Sequence, residues 1–115
     1  YSGSLGVPGR LVNVPVAPGT AGPAWRTAIA DAWLPAIEDF RPQFILVSAG
    51  FDGHAADPMA ELLLTEADYA WMTDQIVDLA ESHADGRIVS CLEGGYDLQA
   101  LARCVTAHIR CLAEV

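Results

Sequence analysis

The sequence predicts an α/β fold, a three-layer arrangement with a small parallel sheet and helices on both faces, in the order β-α-β-α-β-α. Two observations carry it. Three short apolar runs alternate with three longer stretches of helical period. Two of those runs are apolar almost throughout, the pattern of strands covered on both faces and joined by right-handed crossovers.

The elements follow in order. Residues 10–16, RLVNVPV, are valine-rich and alternate as a strand does. In residues 24–40, Trp25, Ile29, Trp33, Ala36, Ile37 and Phe40 recur at helical spacing, and Pro35 is placed to kink that helix. Residues 43–49, QFILVSA, predict the second strand. Thr65 followed by Asp68 resembles a capping box and opens a helix with the stripe Tyr69, Met72, Ile76, Leu79 and Ala80. Residues 86–93, GRIVSCLE, predict the third strand. Asp97 is placed to cap a last helix, buried through Leu98, Leu101, Val105, Ile109 and Leu112. A sheet of so few strands has exposed edges, which favours self-association.

At 115 residues the chain is a single domain, and 52% hydrophobic content argues for a packed core. Fifteen acidic against six basic residues give a net charge of −9. Such a surface repels phosphate, so nucleic acid is not expected as a partner. No run reaches the length of a membrane span, so no membrane partner is expected either. The start, YSGSLGVPGR, lacks a basic segment followed by an apolar core and does not read as a signal peptide. It reads as a Gly/Ser loop from the middle of a chain. Cys91, Cys104 and Cys111 are odd in number and without CxxC spacing, so they read as reduced core thiols and place the protein in the cytoplasm.

In open α/β sheets ligands bind beyond the carboxyl ends of the strands. Two loops leave such ends, GFDGHAADPM after the second strand and EGGYDL after the third. Asp57 suits a metal ligand, and equally an Asp-Pro turn with Pro58. Asp52 reads as a turn residue, and His54 as a partly exposed loop residue more readily than a ligand. Gly94 and Gly95 let the backbone approach a ligand. Tyr96 stands before a helix start, where its phenol suits an oxyanion donor or a ring packed on the loop. Glu93 reads as a supporting acid or an exposed strand end, and His83 and His108 as surface or packing residues.

The stretches FILVSAGFDGHAADPMAELLLTEADYAWMT and GRIVSCLEGGYDLQALARCV strongly resemble the class II histone deacetylase family, whose bacterial branch includes acetylpolyamine amidohydrolases. The upstream GRLVNVPVAPGTAGPAWRTAIADAWLPAIEDFRPQ is similar to it as well, so nearly the whole chain is covered. The resemblance implies an arginase/deacetylase-like fold and a zinc-dependent hydrolysis of an acetamide, acetyl-lysine or an acetylpolyamine, to acetate and amine. It makes Asp57 a zinc ligand, Tyr96 the catalytic residue that stabilises the oxyanion, and Met59, Gly94 and Gly95 the substrate-binding wall. The family's other two zinc ligands lie in an earlier Asp-x-His segment and its general base in a His-His pair. This sequence has neither, since Asp52-Gly53-His54 belongs to the GFD-x-H stretch. The resemblance therefore implies one partial domain over residues 1–115, the last third of a deacetylase domain, without activity alone. The alternative is a non-catalytic α/β module that keeps this part of the fold for association.

Overall fold

The computed structural model describes residues 7–114 in the order α1 (Gly22–Phe40), β1 (Ile45–Ala49), α2 (Glu66–His83), β2 (Ile88–Leu92) and α3 (Leu98–Ala113). The Gly/Ser loop read over residues 1–6 lies outside the described residues. The strands pair in parallel, with Ile45 opposite Ile88 and Ala49 opposite Leu92. The α/β class and the parallel sheet are as the sequence predicts, while the first strand is not. Residues 10–16 alternate in burial but join no ladder. Among the described residues β1 and β2 pair only with each other, so the segment has no strand beside it. Its Val12 carbonyl instead accepts the Trp33 indole N–H at 2.9 Å.

Sheet coverage also differs from expectation. Val47, Ala49 and Ser90 lie on the face against which α2 and α3 pack, in a core centred on Ala49, Phe51 and Cys104. On the other face Leu46 is 76% and Val89 45% exposed, and Cys91 is exposed with them. Cys91 is thus not a core thiol. Strand alternation turns it away from its neighbours Ser90 and Leu92. Cys104 is fully buried, and burial pushes its thiol up to about 11.

The helix starts are well determined. Asp68 accepts the Thr65 N–H at 2.9 Å, the capping-box contact read from sequence, and also the Arg26 guanidinium at 2.8 Å. One buried carboxylate thereby ties α1 to the start of α2. Gly22 is required there, because a Cβ would lie 2.2 Å from Asp68 Oδ1. The helix α1 runs through Pro35. Asp97 caps α3 by accepting the Ala100 N–H at 2.9 Å.

The buried stripe of α3 is Ala100, Cys104 and His108, whereas Leu98 is 78% and Ile109 55% exposed. Small residues let α3 approach closely, and His108 draws that face inward. Its Nδ1 lies 2.7 Å from Thr73 Oγ1 and its Nε2 2.8 Å from Ser90 Oγ. The Thr73 hydroxyl already donates to the Tyr69 carbonyl at 2.8 Å, so it accepts from His108. The imidazole therefore carries its proton on Nδ1 and takes the Ser90 hydroxyl on Nε2. Burial lowers its pKa from 6.5.

Candidate functional site

The loops leaving β1 and β2 meet at the carboxyl edge of the sheet. The Phe51 N–H donates to the Gly94 carbonyl at 2.8 Å, and the Glu93 N–H to the Ala49 carbonyl at 2.9 Å. These bonds prolong the parallel ladder beyond the last strand residues and set the two loops side by side.

Asp57 joins them. The residue is 5% exposed, and its side chain turns back across the crevice. Oδ1 accepts the Met59 N–H at 2.9 Å, while Oδ2 accepts the N–H groups of Tyr96 at 2.6 Å and Asp97 at 3.1 Å. Burial alone would raise its pKa. The three backbone donors and the nearby His54 outweigh that, so the carboxyl sits below its ordinary value and stays ionised. The bond to Met59 is the Asx turn foreseen for an Asp-Pro pair, and the bonds to residues 39 and 40 positions away go beyond it.

The second loop presents Tyr96. Gly95 has φ +140°, and a Cβ there would lie 2.7 Å from Leu101 Cδ1. Only glycine turns the chain here so that the next N–H faces Asp57. Tyr96 is 59% exposed, so its phenol is open to solvent at the mouth of the crevice. A Cβ on Gly94 would lie 3.4 Å from Tyr96 Oη and 3.0 Å from Asp52 Oδ1. Asp52 thus borders the Gly94 backbone. Met59 is 64% exposed on the same loop as Asp57, and Glu93 is an exposed strand end.

His54 departs from its expected place. It is 7% exposed, so it is not a loop residue open to solvent. Its Nδ1 accepts the Ala56 N–H at 3.0 Å and its Nε2 lies 3.4 Å from Glu66 Oε2. Both nitrogens face protein groups, which leaves neither aimed at the crevice beside Asp57. His83 packs away from the site with Nε2 3.1 Å from Glu38.

Tyr69 is a contributor that sequence reasoning placed only in a core stripe. Its Oη accepts the Gly53 N–H at 3.1 Å, and its ring meets Phe51 edge to face at 5.0 Å. Burial pushes its phenol pKa well up, so it remains protonated. Spacing carries no signal for this contact, because a buried phenol on a helix stripe reads as packing.

Among the described residues no group of three or more His, Cys, Asp or Glu could hold a metal ion. One carboxylate does not meet the three protein ligands of a catalytic zinc. A groove of about 680 Å³ lined by Trp33, Ile37, Phe40, Leu46 and Ile76 contains none of the candidate residues. No helix among the described residues is long and apolar enough to cross a membrane.

The histone deacetylase domain family matches residues 2–112. A probable deacetylase of Archaeoglobus fulgidus is 44% identical over 91 residues, covering 79% of this chain and 25% of that protein. A histone deacetylase-like amidohydrolase of Pseudomonas aeruginosa is 42% identical over 107 residues, covering 93% of this chain and 28% of that protein. Among solved structures, the HDA15 HD domain aligns with TM-score 0.82 at 35% identity, over 90% of this chain and 29% of that one. The histone deacetylase Clr3 aligns with TM-score 0.83 at 33% identity, over 93% of this chain and 18% of that one. The chain spans about a quarter of the length of these two curated relatives.

Proposed function

Because the chain belongs to the histone deacetylase family, we propose that it is the last third of a zinc-dependent deacetylase domain acting on an acetamide. The substrate would be acetyl-lysine or an acetylpolyamine, with acetate and the free amine as products. The observation that supports this most is the 2.6 Å bond between the Tyr96 N–H and Asp57. It brings the residue read as a ligand and the residue read as an oxyanion donor to one crevice.

Zinc would take Asp57 as one ligand and the other two from outside the described residues, and when bound it would supply Lewis-acid activation of water. The Tyr96 phenol would donate a hydrogen bond to the substrate carbonyl oxygen as negative charge develops on it. Met59 and the backbone of Gly94 and Gly95 would line the approach. With no general base of its own, the chain alone would not turn over. The net charge of −9 favours a cationic amine over a nucleic acid at its surface. The three free cysteines suit a reducing cytoplasm.

The deciding experiment is zinc content of the purified chain after dialysis, with Asp57→Ala as control and an acetyl-lysine peptide and an acetylpolyamine as substrates. Traces of metal, unchanged by the substitution, with no turnover are the expected result. Near-stoichiometric zinc lost in the variant would overturn the reading that further ligands are needed.

A non-catalytic module for association is favoured by one observation, the exposed face carrying Leu46 and Val89. Sedimentation of the chain over a concentration series distinguishes it. Self-association that persists when Leu46→Asp is introduced counts against this face.

A further inference from the structure

His54 and Glu66 form a side-chain chain that ends beside Asp57. Arg103 of α3 donates through Nε to Glu66 Oε1, and Glu66 Oε2 lies 3.4 Å from His54 Nε2. Across the ring, Nδ1 accepts the Ala56 N–H at 3.0 Å. The His54 carbonyl also accepts the Asp57 N–H at 2.9 Å. One residue therefore holds both amides that lead into the carboxylate.

The ring's protonation pattern follows from these partners. A nitrogen that accepts a backbone N–H cannot carry a proton, so the neutral imidazole has its proton on Nε2. That proton faces Glu66 Oε2 at 3.4 Å, the ion-pair partner of a buried nitrogen that makes no hydrogen bond among the described residues. Glu66 is held as an anion chiefly by Arg103, which with the backbone N–H and His54 brings its pKa down to about 2. An orienting carboxylate on one nitrogen makes the other a fixed acceptor.

We propose that His54 is a positioning residue, its proton kept on Nε2 by Glu66 so that Nδ1 closes the turn aiming Asp57 at the Tyr96 loop. The role of Asp57 and Tyr96 in this statement rests on the proposed function, whereas the turn and its tautomer do not. Arg103 and Tyr96 stand on and just before the same helix, α3. The chain from Arg103 is thus a second tie between α3 and the Asp57 loop, beside the Asp57 carboxylate itself.

The test is ¹⁵N NMR of the imidazoles in the labelled 115-residue chain at about pH 8, where an ordinary imidazole is neutral, together with exchange of the Ala56 amide. The wild-type chain is expected to show His54 protonated on Nε2 and His108 on Nδ1, two opposite patterns in one spectrum. In Glu66→Ala the His54 signals become a mixture of tautomers and the Ala56 amide exchanges roughly 3- to 10-fold faster, the loss of one hydrogen bond. Glu66→Gln, whose amide oxygen accepts the same N–H, retains the wild-type tautomer. An unchanged His108 pattern reports an intact fold.

A second pair keeps the test decisive if Glu66→Ala does not fold. His54→Asn puts a carbonyl oxygen near the place of Nδ1 and keeps the Ala56 amide protected, while His54→Leu exposes it. Protonation of His54 on Nδ1 in the wild-type chain overturns the proposal, as does equal Ala56 exchange in the Asn and Leu variants. None of these readouts uses zinc or substrate, so a failure of the deacetylase reading leaves them unmoved.

Discussion

The backbone N–H of Tyr96 lies 2.6 Å from Oδ2 of Asp57, a contact across 39 residues of sequence that joins the two strand-end loops. The same oxygen accepts the Asp97 N–H, so the carboxylate also holds the residue that caps α3. Loop geometry and helix start are thereby set by one buried side chain.

Asp57→Asn is expected to loosen this junction. The amide has one oxygen where the carboxylate has two, and its NH₂ group would face a backbone N–H on one side. Exchange of the Tyr96 and Asp97 amides should quicken while that of Val47 in β1 holds. Unchanged protection at both positions would show that Asp57 is not the tie.

Gly95→Ala should destabilise the fold. The backbone there has φ +140°, and an added Cβ would lie 2.7 Å from Leu101 Cδ1. Strain of that kind costs about 1–3 kcal/mol, read as a lower urea midpoint at unchanged slope.

Tyr69→Phe removes the acceptor of the Gly53 N–H and keeps the ring against Phe51. The loss should be about 1 kcal/mol by urea titration. A larger effect would mean that the phenol also holds a group beyond Gly53.

Stability should fall as pH drops through the histidine range. His108 is buried between Thr73 and Ser90, and its folded pKa lies below 6.5. Below pH 6.5 the unfolded chain takes up a proton that the folded chain resists. The stabilisation from neutral His108 is therefore whole above that pH and is lost as pH falls toward the folded value. Urea midpoints at a series of pH values, compared with His108→Gln, check this. The variant should lack that part of the dependence.

Local signals were legible in the sequence for local reasons. The Thr65–Asp68 cap and the Asp97 cap depend on groups close in the chain and were read from spacing, and both paired strands were read from their local apolar runs. The run at 10–16 had the alternation of a strand but joins no ladder among the described residues. In α3 the large apolar residues Leu98 and Ile109 pointed to one stripe, while small residues and a hydrogen-bonded histidine formed the buried one. Composition rewards bulk, and close helix packing rewards its absence.

By itself the sequence determined the α/β class, the helix caps, the family and the two loops that carry the candidate site residues. Only the tertiary structure decided which atoms of those loops meet. The three N–H groups on Asp57, the Glu66 carboxylate facing His54 and the open face around Cys91 all depend on packing between distant segments. A helix cap is chosen by neighbours a turn away, whereas a buried carboxylate's partners are chosen by whichever backbone donors the fold brings within hydrogen-bond reach.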